Sequence, residues 1–261
     1  MWSKHEQTYL TDRSGKSAEM DDEVDDILAE LDGDDIAKCP RSEADPYHVG
    51  QPRKKQGGHS WLQTALQQVR DGAEVLNLSP WSVRIGLDGS IALAESIRQP
   101  HLKLTTVLLN CNDIGPKGSA VLADALNVNA SITKLDLSGN AISDLGATSL
   151  SDALRRNTTL KVLDLEDNGI GPTGASALAD GLKVNRALES LHLAENLIAD
   201  TGATAFACCL STNNTLRTLW LAGNKIGLSG GTSLSSSLSS NTALKTLYLG
   251  TPRIGSTIHV Y

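Results

Sequence analysis

From residue 104 onward, apolar residues recur in a fixed frame. The stretch LKVLDLEDNGIGPTGASALADGLKVNRA, Leu160 to Ala187, is preceded by ITKLDLSGNAISDLGATSLSDALRRNTT and followed by LESLHLAENLIADTGATAFACCLSTNNT. Aligned on the first apolar residue, the units start at Leu104, Ile132, Leu160, Leu188, Leu216 and Leu244, a period of 28 residues. That makes five complete units over 104–243 and a truncated sixth. A degenerate unit precedes them over 73–103, in a register that the sequence leaves loose by about two residues. A fixed period of this length marks a solenoid.

Two periodicities share each unit. Positions 1, 4 and 6 are apolar, as in Leu160, Leu163 and Leu165; the 4-and-6 spacing is the period of two that a strand requires. Position 9 is always Asn: Asn112, Asn140, Asn168, Asn196 and Asn224. Its amide can donate and accept, so stacked copies can satisfy one another's turns. An apolar residue at position 11 turns back into the core. Gly at position 15 (Gly118, Gly146, Gly174, Gly202, Gly230) suits either a tight approach or a positive φ ahead of a helix. The second half carries apolar residues four apart, such as Leu150 and Leu154 or Leu178 and Leu182, one stripe of a helix. A second Asn at position 26 (Asn129, Asn157, Asn185, Asn213, Asn241) fits a left-handed residue after the helix. The predicted unit is therefore strand, turn, helix, turn.

This frame resembles the leucine-rich repeat, in its 28-residue ribonuclease-inhibitor subtype, over roughly residues 73–255. The resemblance implies an α/β solenoid: a curved arc with parallel strands on the concave face and helices on the convex face, over residues 73–261. Asn129, Asn157 and Asn213 also stand in Asn-x-Ser/Thr triplets. The repeat position explains them better than glycosylation does.

The ends differ from the array. GHSWLQTALQQVRDG, residues 58–72, places Trp61, Leu62, Ala65, Leu66 and Val69 on one helical face, as expected of an N-terminal cap helix covering the first layer of a solenoid. At the other end, Pro252 replaces the expected Asn in LKTLYLGTPRIGSTIHVY and the pattern shows no helix. That reads as a built-in stop or as a shortened product of a longer gene. Residues 1–57 lack the repeat and read as a disordered acidic tail. Within it, Met20, Val24, Ile27, Leu28 and Leu31 form one helical stripe over 20–32, either a partner-binding helix or a solvated acidic stretch.

Net charge is −7, and residues 1–57 carry most of it: 14 acidic against 8 basic residues, a net of −6. This balance argues against nucleic acid or an anionic membrane as partner. No secretory leader and no apolar run of ~18 residues are present, so the expected location is cytoplasmic. Cys39, Cys111, Cys208 and Cys209 follow no disulfide framework and are expected to be free thiols. No phosphate-binding loop, nucleophile elbow, zinc-binding helix motif or paired-cysteine motif occurs, and the six His show no ligand spacing. No enzyme activity, metal or cofactor is expected.

Alternation turns positions 3, 5 and 7 away from the core, toward the concave side. Position 5 runs Leu108, Asp136, Asp164, His192, Trp220, Tyr248; Glu166 stands at position 7, and Asp167 and Glu195 at position 8. Carboxylates followed by aromatics resemble the composition of an interaction hot spot. The expected partner-binding residues are Asp136, Asp164, Glu166, Asp167, His192, Glu195, Trp220 and Tyr248; free drift at position 5 is the alternative. The function expected is a non-enzymatic scaffold binding a protein of basic or mixed surface. The array is also similar to the repeat domain of Ran GTPase-activating proteins, which carry their acidic stretch after the repeats rather than before. An acidic amphipathic helix ahead of about five repeats resembles the layout of tropomodulin, which caps actin pointed ends.

Overall fold

The computed structural model describes residues 60–79, 84–99, 101–250 and 257–259. The tail 1–57, its helix at 20–32 and Pro252 lie outside the described residues. The elements are helix α1 (Ser60–Arg70), β1 (Val75–Asn77), α2 (Gly86–Ile97), β2 (Thr106–Leu108), α3 (Gly115–Leu126), β3 (Lys134–Asp136), α4 (Ser143–Leu154), β4 (Val162–Asp164), α5 (Pro172–Val184), β5 (Ser190–His192), α6 (Ala199–Leu210), β6 (Thr218–Trp220), α7 (Leu228–Leu238), β7 (Thr246–Tyr248) and β8 (Thr257–His259). Strands β1 to β7 form one parallel sheet in chain order. Each helix after α1 packs on its sequence neighbour. Strands sit ~4.8 Å apart and helices ~8–10 Å apart, so the sheet takes the inside of the bend and becomes the concave face.

The core lies between sheet and helices. Leu163 and Leu165 are fully buried, as are their counterparts Leu135, Leu137, Leu191, Leu193, Leu219 and Leu221. From the helices come Leu122, Leu150, Leu178, Phe206 and Leu234. Four of the five position-11 Ile (Ile114, Ile142, Ile170, Ile198) are buried, and Ile226 is partly so.

Two asparagine ladders hold the turns. At position 9, each Nδ2 donates to the position-6 carbonyl of the preceding unit: Asn112 to Leu78 (2.8 Å), Asn140 to Leu109 (2.9 Å), Asn168 to Leu137 (2.9 Å), Asn196 to Leu165 (2.9 Å) and Asn224 to Leu193 (2.6 Å). Each Oδ1 accepts from the amide ahead of the preceding helix, as Asn168 does from Asn140 (3.0 Å) and Ile142 (3.2 Å). The side chain thus supplies donors and acceptors that a turning backbone cannot provide for itself.

The second ladder corrects an expectation. Asn185 is extended (φ −64°, ψ 139°) and none of the position-26 Asn has positive φ. Their amides close the units instead. Nδ2 of Asn157 donates to Leu126 O at 2.8 Å, and its Oδ1 accepts from Leu160 N at 2.8 Å. Asn129, Asn185, Asn213 and Asn241 repeat the same two bonds. The last helical carbonyl of the unit before is satisfied by a side chain, so no left-handed residue is needed. The same bonding explains the buried Asn129, Asn157 and Asn213 as structural residues.

Gly at position 15 likewise serves only one of its two suggested roles. These glycines sit inside helices without positive φ. A Cβ on Gly146 would stand 2.2 Å from Ser119 Oγ and 2.3 Å from Ile142 Cγ2, so close helix packing is the reason. Positive φ falls instead at position 8 (Cys111, Gly139, Asp167, Glu195, Gly223), where only two of five residues are glycine.

Helices begin in two ways. The α2, α3, α4 and α6 segments open on a left-handed residue (Gly86, Gly115, Ser143, Ala199) whose amide donates to the position-9 carbonyl of the next unit. For α5 and α7, an extended Gly171 or Gly227 precedes the helix. There a carboxylate from the unit before caps the amides: Asp144 Oδ1 accepts from Gly171 and Gly174 (2.7 and 2.8 Å), and Asp200 Oδ1 from Gly227 and Gly230 (2.7 and 3.0 Å).

At the ends, Leu62, Leu66 and Val69 of α1 are buried against the array while Trp61 and Ala65 are partly so. Pairing of Val75 with Thr106 makes the first unit 31 residues long. The edge of β7 pairs with β8, antiparallel, in the register Tyr248–Thr257, an element the repeat pattern did not predict.

Candidate functional site on the concave face

Strand pairing places Asp136 beside Asp164, Asp164 beside His192, His192 beside Trp220 and Trp220 beside Tyr248. The inward neighbours of these residues, such as Leu163 and Leu191, are fully buried in the core, so alternation sends the row to the opposite, concave side. Five of the eight residues expected from the sequence share this row. Glu166 lies just beyond Asp164, half-buried. Asp167 and Glu195 stand in the turns that follow, with φ of 49° and 53°. Their place is the rim of the face, where a left-handed backbone tolerates Asp better than most side chains.

The carboxylates do local work first. Asp136 Oδ1 accepts from the amide and hydroxyl of Ser138 (2.8 and 2.7 Å), and Asp164 Oδ1 accepts from Glu166 N (2.9 Å). Asn77 accepts from Ser79 N in the same way. An Asx turn ends these strands, while Leu108, Trp220 and Tyr248 hold the same position without one. Burial together with the neighbouring Asp164 pushes Asp136 up to about 6, against the opposing pull of Ser138 and His192.

His192 is the hinge between acid and aromatic. Its Nδ1 lies 3.5 Å from Asp164 Oδ2, its Nε2 3.0 Å from Ser190 Oγ, and its ring stacks on Trp220 with centroids 5.0 Å apart. Trp220 stacks in turn on Tyr248 at 3.8 Å. Asp164 and His192 are buried at 8% and 6% exposure, whereas Asp136 and Trp220 in the same row are half-buried. Trp220 is half-buried in the stack, with its indole N–H buried and, among the described residues, without an acceptor.

Ser190, His192 and Asp164 are connected in the order of a hydrolytic relay. Acyl transfer also needs N–H donors aimed at a developing oxyanion, and the amide of Ser190 is already committed to Lys161 O at 2.9 Å. That amide is therefore not such a donor, and the contacts with Ser190 and Asp164 orient His192. Ser190 was missed in the sequence, although it shares the parity of position 5. The Lys161–Glu189 ion pair at 2.9 Å, near the other end of the strands, was missed as well.

Among the described residues, no three His, Cys, Asp or Glu come together to hold a metal ion, and no helix is long and apolar enough to cross a membrane. Cys208 is an exposed free thiol, and burial pushes the free Cys209 thiol up to about 12. Cys111 is disulfide-bonded, which corrects the expectation of free thiols throughout.

A family model described as Leucine Rich repeat matches four windows, residues 128–151, 156–179, 184–207 and 212–235, in step with the 28-residue spacing of the strands. The chain is a leucine-rich repeat protein. No curated protein matches its sequence. Among solved structures, it is similar to actin-binding site 2 of leiomodin-1 at 25% identity, with a TM-score of 0.47, over 51% of this chain and 78% of that one. It is similar to the tropomodulin C-terminal domain of Caenorhabditis elegans at 15% identity, with a TM-score of 0.44, over 69% and 92%. A TLR13 chain in complex with ssRNA13 overlaps at 19% identity, with a TM-score of 0.43, over 71% of this chain and 23% of that one. The assignment of this leucine-rich repeat protein rests on the matched repeats and on its own geometry.

Proposed function

We propose that this leucine-rich repeat protein is a non-enzymatic scaffold that takes a protein partner of basic or mixed surface on its concave face. The contact row is Asp136, Asp164, His192, Trp220 and Tyr248, with Glu166, Asp167 and Glu195 along one rim. The observation that carries the reading is the departure of this row from the repeat. Positions 4, 6 and 9 hold nearly the same residue in each of the five complete units, whereas position 5 passes from Leu108 to carboxylates, imidazole and stacked aromatics. Half-buried aromatics beside charge are what interface hot spots are made of.

The test is partner capture by crosslinking with mass spectrometry, comparing wild type with Trp220→Ala and Asp164→Lys. Trp220→Ala is expected to remove capture at a cost of ~2 kcal/mol or more in binding. Asp164→Lys is expected to reduce capture more at low salt than at high salt, since screening weakens charge steering. Unchanged partners in both variants would move the site to the convex helices or the tail. GTP hydrolysis by a small GTPase and actin depolymerisation, each measured with the purified chain, test the two other roles suggested by layout.

A further inference from the structure

We infer that Cys111 is joined to Cys39 and that this bond is a redox-controlled tether, which holds the acidic N-terminal tail at the rim of the concave face. It rests on the concave-face reading above and adds a means of regulating that face.

The pairing follows by elimination. The chain has four cysteines, Cys39, Cys111, Cys208 and Cys209. Cys208 and Cys209 are free, and Cys111 is disulfide-bonded. Within one chain only Cys39, which lies outside the described residues, is left to supply the second sulfur. The repeat does not call for a cysteine at 111. It stands at the left-handed position 8, which is Gly139, Asp167, Glu195 and Gly223 in the units that follow. Those side chains share neither size nor charge, so the frame leaves the position open to another use.

The anchor is close to the row. Cys111 N donates to Ser138 O at 2.9 Å, and Ser138 N and Oγ donate to Asp136. Residues 19–35 carry ten acidic residues and no basic one. Asp35 precedes Cys39 by four residues (39 − 35), a reach of at most ~14 Å. Without the bond, the nearest described residue that holds the tail to the fold is Ser60, 25 residues on (60 − 35), a reach of ~85 Å. The bond therefore confines the acidic stretch to the rim. Asp136, Asp164, Glu166 and Asp167 already stand there, and like charges keep the stretch from settling into the row. Confined in this way, it adds to the negative field in front of the face instead of plugging it. A basic partner is steered more strongly by the oxidised protein than by the reduced one.

The bond can be broken without loss of the fold. The leucine core and both asparagine ladders use only residues of the cap helix and the array, so reduction frees the tail and leaves the units intact. Where thiols are kept reduced, protein disulfides are characteristically transient and redox-sensing. Formation takes two protein thiols and one small-molecule disulfide such as oxidised glutathione. One protein thiolate attacks it and expels a glutathione thiolate. The second protein thiolate then displaces the other glutathione from the mixed disulfide. The two cysteines lose two electrons, the small disulfide gains them, and the two protons pass to the two glutathione thiols released.

Peptide mapping by mass spectrometry on the oxidised full chain, without reductant, tests the pairing. A Cys39 peptide linked to a Cys111 peptide is expected, and Cys39→Ser should abolish it. Excess reduced glutathione should release the link while the thermal melt of the array stays two-state. A fluorescent oligolysine peptide is the probe of steering. At low salt it should associate roughly tenfold faster with the oxidised chain than with the reduced one, the low end of what electrostatic steering supplies. The difference should vanish at high salt, and Cys39→Ser should behave as reduced under both conditions. A free Cys111, or a Cys111 linked between two chains, overturns the pairing. A link that resists glutathione, or equal association rates in the two states, overturns the switch. If the link is absent while Trp220→Ala still loses partner capture, the tether is refuted and the concave-face reading stands. If the link is present and Trp220→Ala keeps capture, the concave-face reading fails and the pairing stands.

Discussion

The seam beneath the sheet and the row above it are built from the same strands, one residue apart, and they obey opposite rules. In the seam, Leu137, Leu165 and Leu193 are fully buried, and Asn140, Asn168 and Asn196 bond in nearly the same way from unit to unit. In the row, neighbours in register are Asp136, Asp164, His192, Trp220 and Tyr248. A seam residue must fill a volume or satisfy backbone groups set by the adjacent unit, so one solution repeats. A row residue owes the backbone at most a local turn, and its chemistry is free to differ.

The largest break in that contrast should come from Asn168→Ala. It leaves the Asn140 and Ile142 amides without their acceptor, while the Leu137 and Glu166 carbonyls keep the bonds from Asn140 Nδ2 and Gly139 N. At ~1–3 kcal/mol for each of these buried amides left unpaired, a loss of about 4 kcal/mol is expected in urea denaturation. Leu165→Ala follows, at ~3 kcal/mol for lost transfer energy and a cavity, and in a solenoid the damage spreads to both neighbouring units. An unchanged melt in either variant would mean that the seam is not where stability resides.

The smallest effect runs the other way and sharpens the comparison. Asp136 ionises less readily folded, at about 6, than its ordinary value of 3.8. A carboxyl raised on folding gives its full contribution below about 4, and that contribution is lost as the pH rises through about 6. Asp136→Asn removes the penalty. It is expected to raise the Tm by a few degrees at pH 7.5 and to leave it unchanged at pH 3.5. A lower Tm at pH 7.5 would show that the row, too, serves stability.

Much of this was legible in the sequence, because packing and backbone satisfaction write themselves as repeated residue types. The strand register, the buried Ile at position 11, the asparagine ladder at position 9 and the order of the concave row follow from the 28-residue frame alone. Positive φ at position 8 was hidden because Cys111, Asp167 and Glu195 adopt it as well as Gly139 and Gly223, so no single residue type marks it. The extended Asn185 was hidden because its bonds go to Leu154 and Leu188, two different units, and composition says nothing about partners. Asp144 and Asp200 cap helices one unit away and look like ordinary surface acids in the chain. The antiparallel β8 breaks the period, and a frame built on the period cannot announce its own exception.

The ladder bonds have one more property. Those that reach across to a neighbouring unit's turn or helix end span 26 to 34 residues. Helix-to-helix and strand-to-strand contacts also stop at the adjacent unit. Among the described residues, no brace ties one end of the array to the other. Tension on the array is therefore borne by one junction at a time, and the molecule resembles a stack of coupled springs more than a single block. Compliance of that kind lets the inner surface open or tighten slightly around whatever it holds without melting any unit.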